Sequence, residues 1–180
     1  MIDDQEQMKE NFPKIFGQYH FMRVIGRGAY GVVICAQDIF EQEFAVKVIS
    51  REFLKSTNSF LSFEQELRVH QSLDHFNIVK IREVLYEPEY IYVVMDLCSR
   101  GDLFTFISEE SPLPLTLIRN IFFQILQGVR YLHNRDIAHL DLKPDNILMT
   151  GDNIVKINDF GFCEAPPKRT LPGAAGTLYY

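Results

Sequence analysis

Apolar and polar residues alternate along the first half of the chain, and the apolar residues take a helical spacing in the second half. Three runs rich in Val, Ile and Phe cover residues 19–27, 31–38 and 42–50, with glycines or polar residues between them. Such runs are typical of strands, so they predict an antiparallel meander. Apolar residues at spacings of three and four then predict an amphipathic helix over residues 59–73.

Predicted strands and predicted helices occupy different parts of the chain. Two more strands are expected at residues 78–86 and 90–96, and two helices at residues 102–108 and 115–133. Residues 97–100 form a short joint between the two kinds of structure. The pattern therefore predicts an α+β fold with two lobes, a small antiparallel sheet with one helix followed by a mainly helical lobe.

The first residues mix charge with Pro13 and Gly17 without a clear period, so we expect a lead-in segment before the folded part. The change from strands to helices sets the remaining boundaries. We divide the chain into a lead-in, an N-lobe, a hinge and a partial C-lobe, which are residues 1–17, 18–96, 97–100 and 101–180.

Composition places the chain among ordinary globular proteins, with 47% hydrophobic and 23% charged residues. The formal net charge of -6 argues against a nucleic-acid binder, which normally shows a basic face. Basic partners and small anionic partners remain open.

The start of the chain, its apolar runs and its cysteines indicate the cellular compartment. The acidic start lacks the positive and apolar regions of a secretory signal, and no apolar run is long enough to cross a bilayer. Cys35, Cys98 and Cys163 are odd in number and lack metal-ligand spacing, which indicates reduced thiols. We expect a cytoplasmic protein with no membrane partner, and the nucleus is the alternative location.

A glycine-rich turn joins the first two long strands. Glycines let backbone amides approach phosphate oxygens, and the same spacing also opens dinucleotide-binding folds. In those folds a helix begins at the glycines, whereas here residues 32–35 continue as a strand. A plain glycine-rich hairpin is the other alternative. The residues of the turn are Gly26, Arg27, Gly28, Ala29, Tyr30 and Gly31.

A lysine stands on the third long strand, where alternation turns Ala45 and Lys47 to one face. Such a lysine commonly lies along the surface with its ammonium in water. One strand past a glycine turn, it could instead hold phosphates, with a carboxylate to fix it. Glu66 on the following helix is the candidate, with Glu64 as a competitor and a solvated helix charge as the alternative.

A third group of polar residues lies between residues 137 and 161. A histidine, acidic residues, a lysine and an asparagine are costly to bury together unless they satisfy one another or a ligand. Asp141 could orient or deprotonate a hydroxyl, Lys143 could neutralise a phosphate, and Asn146 with Asp159 could hold magnesium. Taken singly, each could equally be a polar loop residue.

In order and spacing these motifs resemble the eukaryotic-type Ser/Thr protein kinase domain from residue 19 to residue 180. The segments 73–79 and 91–98 are similar to calcium/calmodulin-dependent kinases. The resemblance implies ATP and Mg²⁺ as cofactors, protein substrates and transfer of the γ-phosphoryl group to Ser or Thr. A catalytically inactive ATP-binding or interaction module is the alternative.

The resemblance also implies roles for single residues. Glu66 lies at the family's spacing before His75 and would pair with Lys47. Asp102 would bind ribose or attract a basic substrate residue, although a helix N-cap is an equal expectation. The adenine would be met by a gatekeeper, two hinge backbones and three apolar side chains, which are Met95, Asp96, Cys98, Val33, Ala45 and Leu148.

The sequence departs from the family at several points. Leu140 replaces the arginine that commonly gathers a loop phosphate, and Thr170 is the only hydroxyl residue between Gly161 and Gly176. His70 stands where the family's hydrophobic spine usually has Leu or Met. The last five residues resemble the segment before the family's Ala-Pro-Glu, so we expect a truncated domain with an exposed apolar face on residues 115–133.

Overall fold

The computed structural model describes residues 13–28 and 31–165. Within this part of the chain, six strands form an antiparallel sheet in the order β1-β2-β3-β4-β6-β5. A two-stranded sheet, β7 and β8, lies in the second lobe. The strands β1 to β8 are Ile15–Phe16, Tyr19–Gly28, Gly31–Gln37, Glu43–Ser50, Ile81–Tyr86, Tyr90–Asp96, Ile147–Met149 and Val155–Ile157.

Two helices follow β4 and two follow β6 in the described residues. The hydroxyl of Ser50 accepts a hydrogen bond from the Phe53 amide and so caps the first helix. The fourth helix is 19 residues long and begins directly after Pro114, whose fixed φ suits the start of a helix. The helices α1 to α4 are Arg51–Ser56, Phe60–Gln71, Leu103–Glu110 and Leu115–His133.

The two faces of the large sheet bury different cores. On one face Phe16 stacks on Tyr92 with ring centroids 4.5 Å apart, so β1 covers this side of the sheet. On the other face, side chains of β4 and β6 pack against Leu54 of α1 and Phe63 of α2. The second face also contacts Leu148 of β7, and it is therefore the face that looks into the space between the lobes.

The fold class is confirmed, because an antiparallel-sheet lobe is followed by a mainly helical lobe. Two short elements were missed, namely β1 inside the expected lead-in and α1 between the predicted strand and helix. The strand predicted from residue 78 begins only at Ile81. Ile78 and Val79 are buried because they bond to Ile157 of β8 instead, with Val79 N 2.9 Å from Ile157 O.

No helix in the described ranges, 13–28 and 31–165, is long and apolar enough to cross a membrane. The apolar surface lies elsewhere. Leu115, Ile118, Phe122, Phe123 and Leu126 are exposed along α4. This observation agrees with the apolar face that the sequence predicts for residues 115–133.

Candidate active site

The register of the sheet collects several expected site residues on one face. Val33 pairs with Lys47 across β3 and β4, and Ala45 pairs with Met95 across β4 and β6. Directly opposite residues of an antiparallel pair share a face, and alternate residues of one strand do so too. Val33, Ala45, Lys47 and Met95 therefore line the face that looks into the space between the lobes.

The glycine turn lies close to this face. A Cβ added to Gly28 would lie 3.5 Å from Lys47 Cε, so the turn passes directly beside the lysine stem. A Cβ added to Gly31 would lie 2.0 Å from Val48 O, so only glycine fits there. Gly26 and Arg27, just before the end of β2, pair with Val33 and Val32. Ala29 and Tyr30 lie outside the described residues.

An ion pair joins the sheet to α2. Lys47 Nζ lies 3.1 Å from Glu66 Oε1, and the two side chains are only 18% and 10% exposed. Partial burial shields the pair from water and strengthens the attraction between its charges. Glu64, the competing candidate, is exposed on the far side of the helix. The structure thus pairs Lys47 with Glu66.

The loop before β7 orients its aspartate through a neutral histidine. Burial lowers the pKa of His139, so its ring is uncharged near neutral pH. The ring Nε2–H donates to Asn158 O at 2.9 Å, which leaves Nδ1 free to accept from the Asp141 amide at 3.3 Å. His139 therefore fixes the backbone of Asp141 relative to Asn158, the residue that follows β8.

Asp141 is buried, and its carboxylate contacts Lys143 and Asn146. Its Oδ2 lies 3.0 Å from Lys143 Nζ and accepts from Asn146 Nδ2 at 2.9 Å. Asn146 Nδ2 also donates to Asp141 O at 2.8 Å. The bond to Asp141 is the main cause that raises the pKa of Lys143, so this lysine keeps its charge.

Asp159 is exposed, while the next residue, Phe160, is fully buried. Asp159 has a φ of 61°, a left-handed conformation that costs a non-glycine residue about 1–2 kcal/mol. A bond from Asn158 N to Asn146 O at 2.9 Å brings this segment against Asn146. Both amide hydrogens of Asn146 are used by Asp141, so its amide oxygen and the Asp159 carboxylate form a donor set that fits Mg²⁺.

The hinge and the floor of the cleft are bonded to each other. Leu148 on β7 is half-buried and bridges to Asp102. Arg100 N donates to Met149 O at 3.0 Å, and Met149 N donates to the carbonyl of the residue after Arg100 at 2.9 Å. Cys98 belongs to the hinge, and burial raises the pKa of its thiol to about 11.

Asp102 serves as the N-cap of α3. Its Oδ1 accepts from Thr105 N at 2.8 Å and its Oδ2 accepts from Thr105 Oγ1 at 2.9 Å. The N-cap expectation for this residue is met. Its suggested role toward ribose or a basic peptide stays a prediction.

His70 packs beneath the site without a charge. Its Nε2–H donates to Val79 O at 2.7 Å, and its ring centroid lies 4.7 Å from that of Phe160. Burial lowers the pKa of His70 to about 4. The histidine thus fills the apolar position as a neutral ring.

Sequence reasoning missed the partners of Asp96. Arg82 Nε lies 2.6 Å from Asp96 Oδ1, and Lys156 Nζ lies 3.4 Å from Asp96 Oδ2. Arg82 and Asp96 lie on the neighbouring strands β5 and β6, whereas Lys156 lies on β8, 60 residues further along the chain. No local spacing signals the contact with Lys156, because only the packing of the two lobes brings Lys156 to Asp96.

Comparison with known proteins identifies related chains. A family model described as the protein kinase domain matches residues 19–180. The chain is 34% identical over 169 residues to calcium-dependent protein kinase 4 of Plasmodium berghei, covering 91% of this chain and 32% of that protein. It is 35% identical over 144 residues to NUAK family SNF1-like kinase 2 of Homo sapiens, covering 80% and 23%.

A third relative comes from fission yeast. The chain is 36% identical over 183 residues to the negative regulator of sexual conjugation and meiosis of Schizosaccharomyces pombe, covering 96% of this chain and 38% of that protein. The chain thus spans between about a quarter and two fifths of the length of these relatives.

Proposed function

The chain belongs to the protein kinase family, and on that premise we propose that it transfers the γ-phosphoryl group of ATP to Ser or Thr hydroxyls of protein substrates. The observation that carries the proposal is the Lys47–Glu66 ion pair at 3.1 Å on the cleft face of the sheet. A lysine fixed by a helix carboxylate is the arrangement needed to hold nucleotide phosphates in place for transfer.

The nucleotide would lie between the glycine turn and β7. The turn residues would cradle the phosphates with their backbone amides, and Lys47 would contact the α- and β-phosphates. Val33 and Ala45 would cover the adenine from one lobe and Leu148 from the other. The backbones of Asp96 and Cys98 would meet the adenine edge, with Met95 behind it and Asp102 near the ribose.

Asn146 and Asp159 would hold the metal. Their oxygens are hard ligands, and Mg²⁺ in such sites takes few protein ligands together with substrate phosphates. Bound there, Mg²⁺ would supply charge neutralisation at the phosphate oxygens. Asp159 is exposed and available to such an ion, and Asn146 is oriented by Asp141.

Asp141 and Lys143 would act on the transferred group. The Asp141 carboxylate would orient the substrate hydroxyl and accept its proton. Lys143 keeps its charge and already lies 3.0 Å from Asp141, so its ammonium would balance charge that develops on the moving phosphoryl group.

A catalytically inactive ATP-binding or interaction module is the second candidate. The exposed apolar residues along α4, including Phe122 and Phe123, favour it, since such surfaces commonly bind other proteins. That candidate lacks phosphate transfer and either binds ATP or serves only to bind another protein.

Nucleotide binding and transfer to a protein acceptor, measured on the same purified chain, separate the two candidates. We expect Mg²⁺-dependent ATP binding by calorimetry and transfer of labelled phosphate to casein or basic peptides. Asp141→Asn should retain ATP binding and lose transfer. ATP binding without transfer, unchanged in Asp141→Asn, would support the ATP-binding module, and absence of ATP binding would contradict the kinase and support an interaction module.

A further inference from the structure

Three charged residues from different parts of the fold meet behind the hinge. Asp96 ends β6, and its two carboxylate oxygens lie 2.6 Å from Arg82 Nε and 3.4 Å from Lys156 Nζ. Arg82 belongs to the sheet of the first lobe and Lys156 to β8 of the second lobe. One carboxylate therefore joins the hinge to both lobes.

Lys156 is the most deeply placed member of the group. Its side chain is 13% exposed and that of Asp96 is 18% exposed. Lys156 also donates to Phe76 O at 3.0 Å and lies 5.7 Å from the centroid of the Phe76 ring. A buried ammonium needs such partners, so its position is tightly defined.

A neighbouring ion pair offers a contrast. Lys80 Nζ lies 2.9 Å from Asp74 Oδ1, with side chains that are 38% and 75% exposed. Exposed pairs of this kind contribute little to stability or position. Lys80 therefore provides a matched surface control for Lys156.

The Asp96 side chain lies on the face of the sheet opposite the cleft. Asp96 pairs with Phe44, whose ring packs edge-on against Tyr19 in the core on that face. Met95, the preceding residue, faces the cleft. The carboxylate of Asp96 thus cannot touch a nucleotide, and any effect on binding passes through its backbone.

Backbone pairing links the ion pair between Asp96 and Lys156 to the strand at the floor of the cleft. Lys156 pairs directly with Leu148 in the two-stranded sheet. Asp96 N bonds to Lys80 O at 3.1 Å and continues into the hinge. The contact between Lys156 and Asp96 therefore spans the gap between the hinge backbone and the strand that carries Leu148.

We propose that Arg82, Asp96 and Lys156 form an interlobe clamp that positions the hinge backbone against Leu148 for adenine binding. The proposal rests on the function proposed above and deepens it. The three are positioning residues, because they act through the backbone of Asp96 and Cys98 and through Leu148.

Affinities for ATP and for adenosine test the clamp. Lys156→Met should weaken the binding of both ligands by about three- to tenfold, since coupling through packed networks is of this size. Arg82→Gln should weaken it less, by about twofold, because the Arg82 side chain is 47% exposed. Lys156→Arg keeps the positive charge and should bind both ligands with the parent's affinity. Lys80→Met should also leave both affinities unchanged. Lys47→Met should weaken ATP binding and spare adenosine, because adenosine carries no phosphate. Turnover at saturating ATP should be retained in the clamp variants.

The alkylation rate of Cys98 by iodoacetamide, measured by peptide mass spectrometry without nucleotide, tests the clamp independently. We expect Lys156→Met to raise the rate about threefold or more, because a released hinge opens more often. The charge of Lys156 lowers the pKa of Cys98, so its removal alone would slow the reaction. The buried Cys35 and Cys163 serve as internal references.

The outcomes separate the clamp from the proposed function. Adenosine affinity that stays at the parent value in Lys156→Met and Arg82→Gln, or a Cys98 rate that does not rise, would overturn the clamp. A parent chain that binds neither ATP nor adenosine would overturn the proposed function, and the Cys98 rates would still decide the clamp.

Discussion

Two buried histidines enclose the Phe160 ring. The His70 and His139 centroids lie 4.7 Å and 5.1 Å from that of Phe160. Each histidine donates a ring N–H to a backbone carbonyl, and burial lowers the pKa of both. A neutral imidazole packs as a small aromatic ring, and the nearby charge of Lys47 further disfavours the charged form of His70.

The stability of the fold should therefore fall in acid through His70. Its pKa in the folded protein, about 4, lies below the ordinary value of 6.5, so the unfolded chain binds a proton first. The contribution is complete above about pH 6.5 and is lost as the pH falls toward about 4, at a cost of about 3 kcal/mol in the free energy of unfolding. Urea unfolding of the parent and of His70→Leu across this range measures it.

The difference between the two proteins isolates His70 from other titrating groups. The substitution also removes the bond to Val79 O, but that loss does not vary with pH above the histidine range. Equal pH slopes for the parent and His70→Leu would contradict the assignment.

Substrate choice should depend on two acidic residues near the cleft. Asp145 is exposed, and Asp102 is half-buried at the start of α3. We expect a preference for peptides with arginine a few residues before the acceptor, and Asp145→Asn should reduce that preference about two- to fivefold because a rim charge pair contributes modestly. A peptide array checks this, and a profile that favours acidic or proline-directed sites would contradict it.

At the scale of elements, the loop before β7 is tied to the segment after Phe160 by main-chain bonds. Ala138 and Glu164 exchange two hydrogen bonds of 3.0 Å. Leu140, the residue before Asp141, is half-buried and has a φ of 63°. An uncharged residue at this position cannot receive a phosphate, so the loop has no cationic anchor there.

Activity should accordingly not require phosphorylation of the loop that contains Thr170, a residue outside the described ranges. A phosphate orders a segment only where cations receive it. Thr170→Ala and phosphatase treatment should each leave transfer to a peptide within about twofold of the parent. Leu140→Arg is the matched variant, which should make activity sensitive to phosphatase. A large fall for Thr170→Ala would show that Leu140 does not decide regulation.

At the scale of the molecule, the long strands and helices were predictable because each carries its period over many residues. Residues 115–133 form α4 as predicted. The two-residue strand β1 and the six-residue helix α1 were missed, since a helix or strand so short shows no period. Stacking on Tyr92 and capping by Ser50 stabilise them.

The candidate site was likewise predictable from the sequence only in part. The order of motifs indicated Lys47, Glu66, Asp141 and Asn146, and the structure brings them into two bonded groups. From the sequence, only the family resemblance favoured Glu66 over Glu64. The packing of α2 on the sheet brings Glu66 to Lys47 and leaves Glu64 exposed. The contact of Lys156 with Asp96 was beyond sequence reasoning, because it depends on how the lobes pack.

Transfer of labelled phosphate from ATP to a peptide by the parent, Lys47→Met and Asp159→Ala is the most direct test of the proposed kinase activity. We expect Mg²⁺-dependent transfer by the parent. Each variant should fall by about a thousandfold or more, because one loses the phosphate contact fixed by Glu66 and the other a metal ligand. Near-parent transfer by either variant would contradict the assigned chemistry.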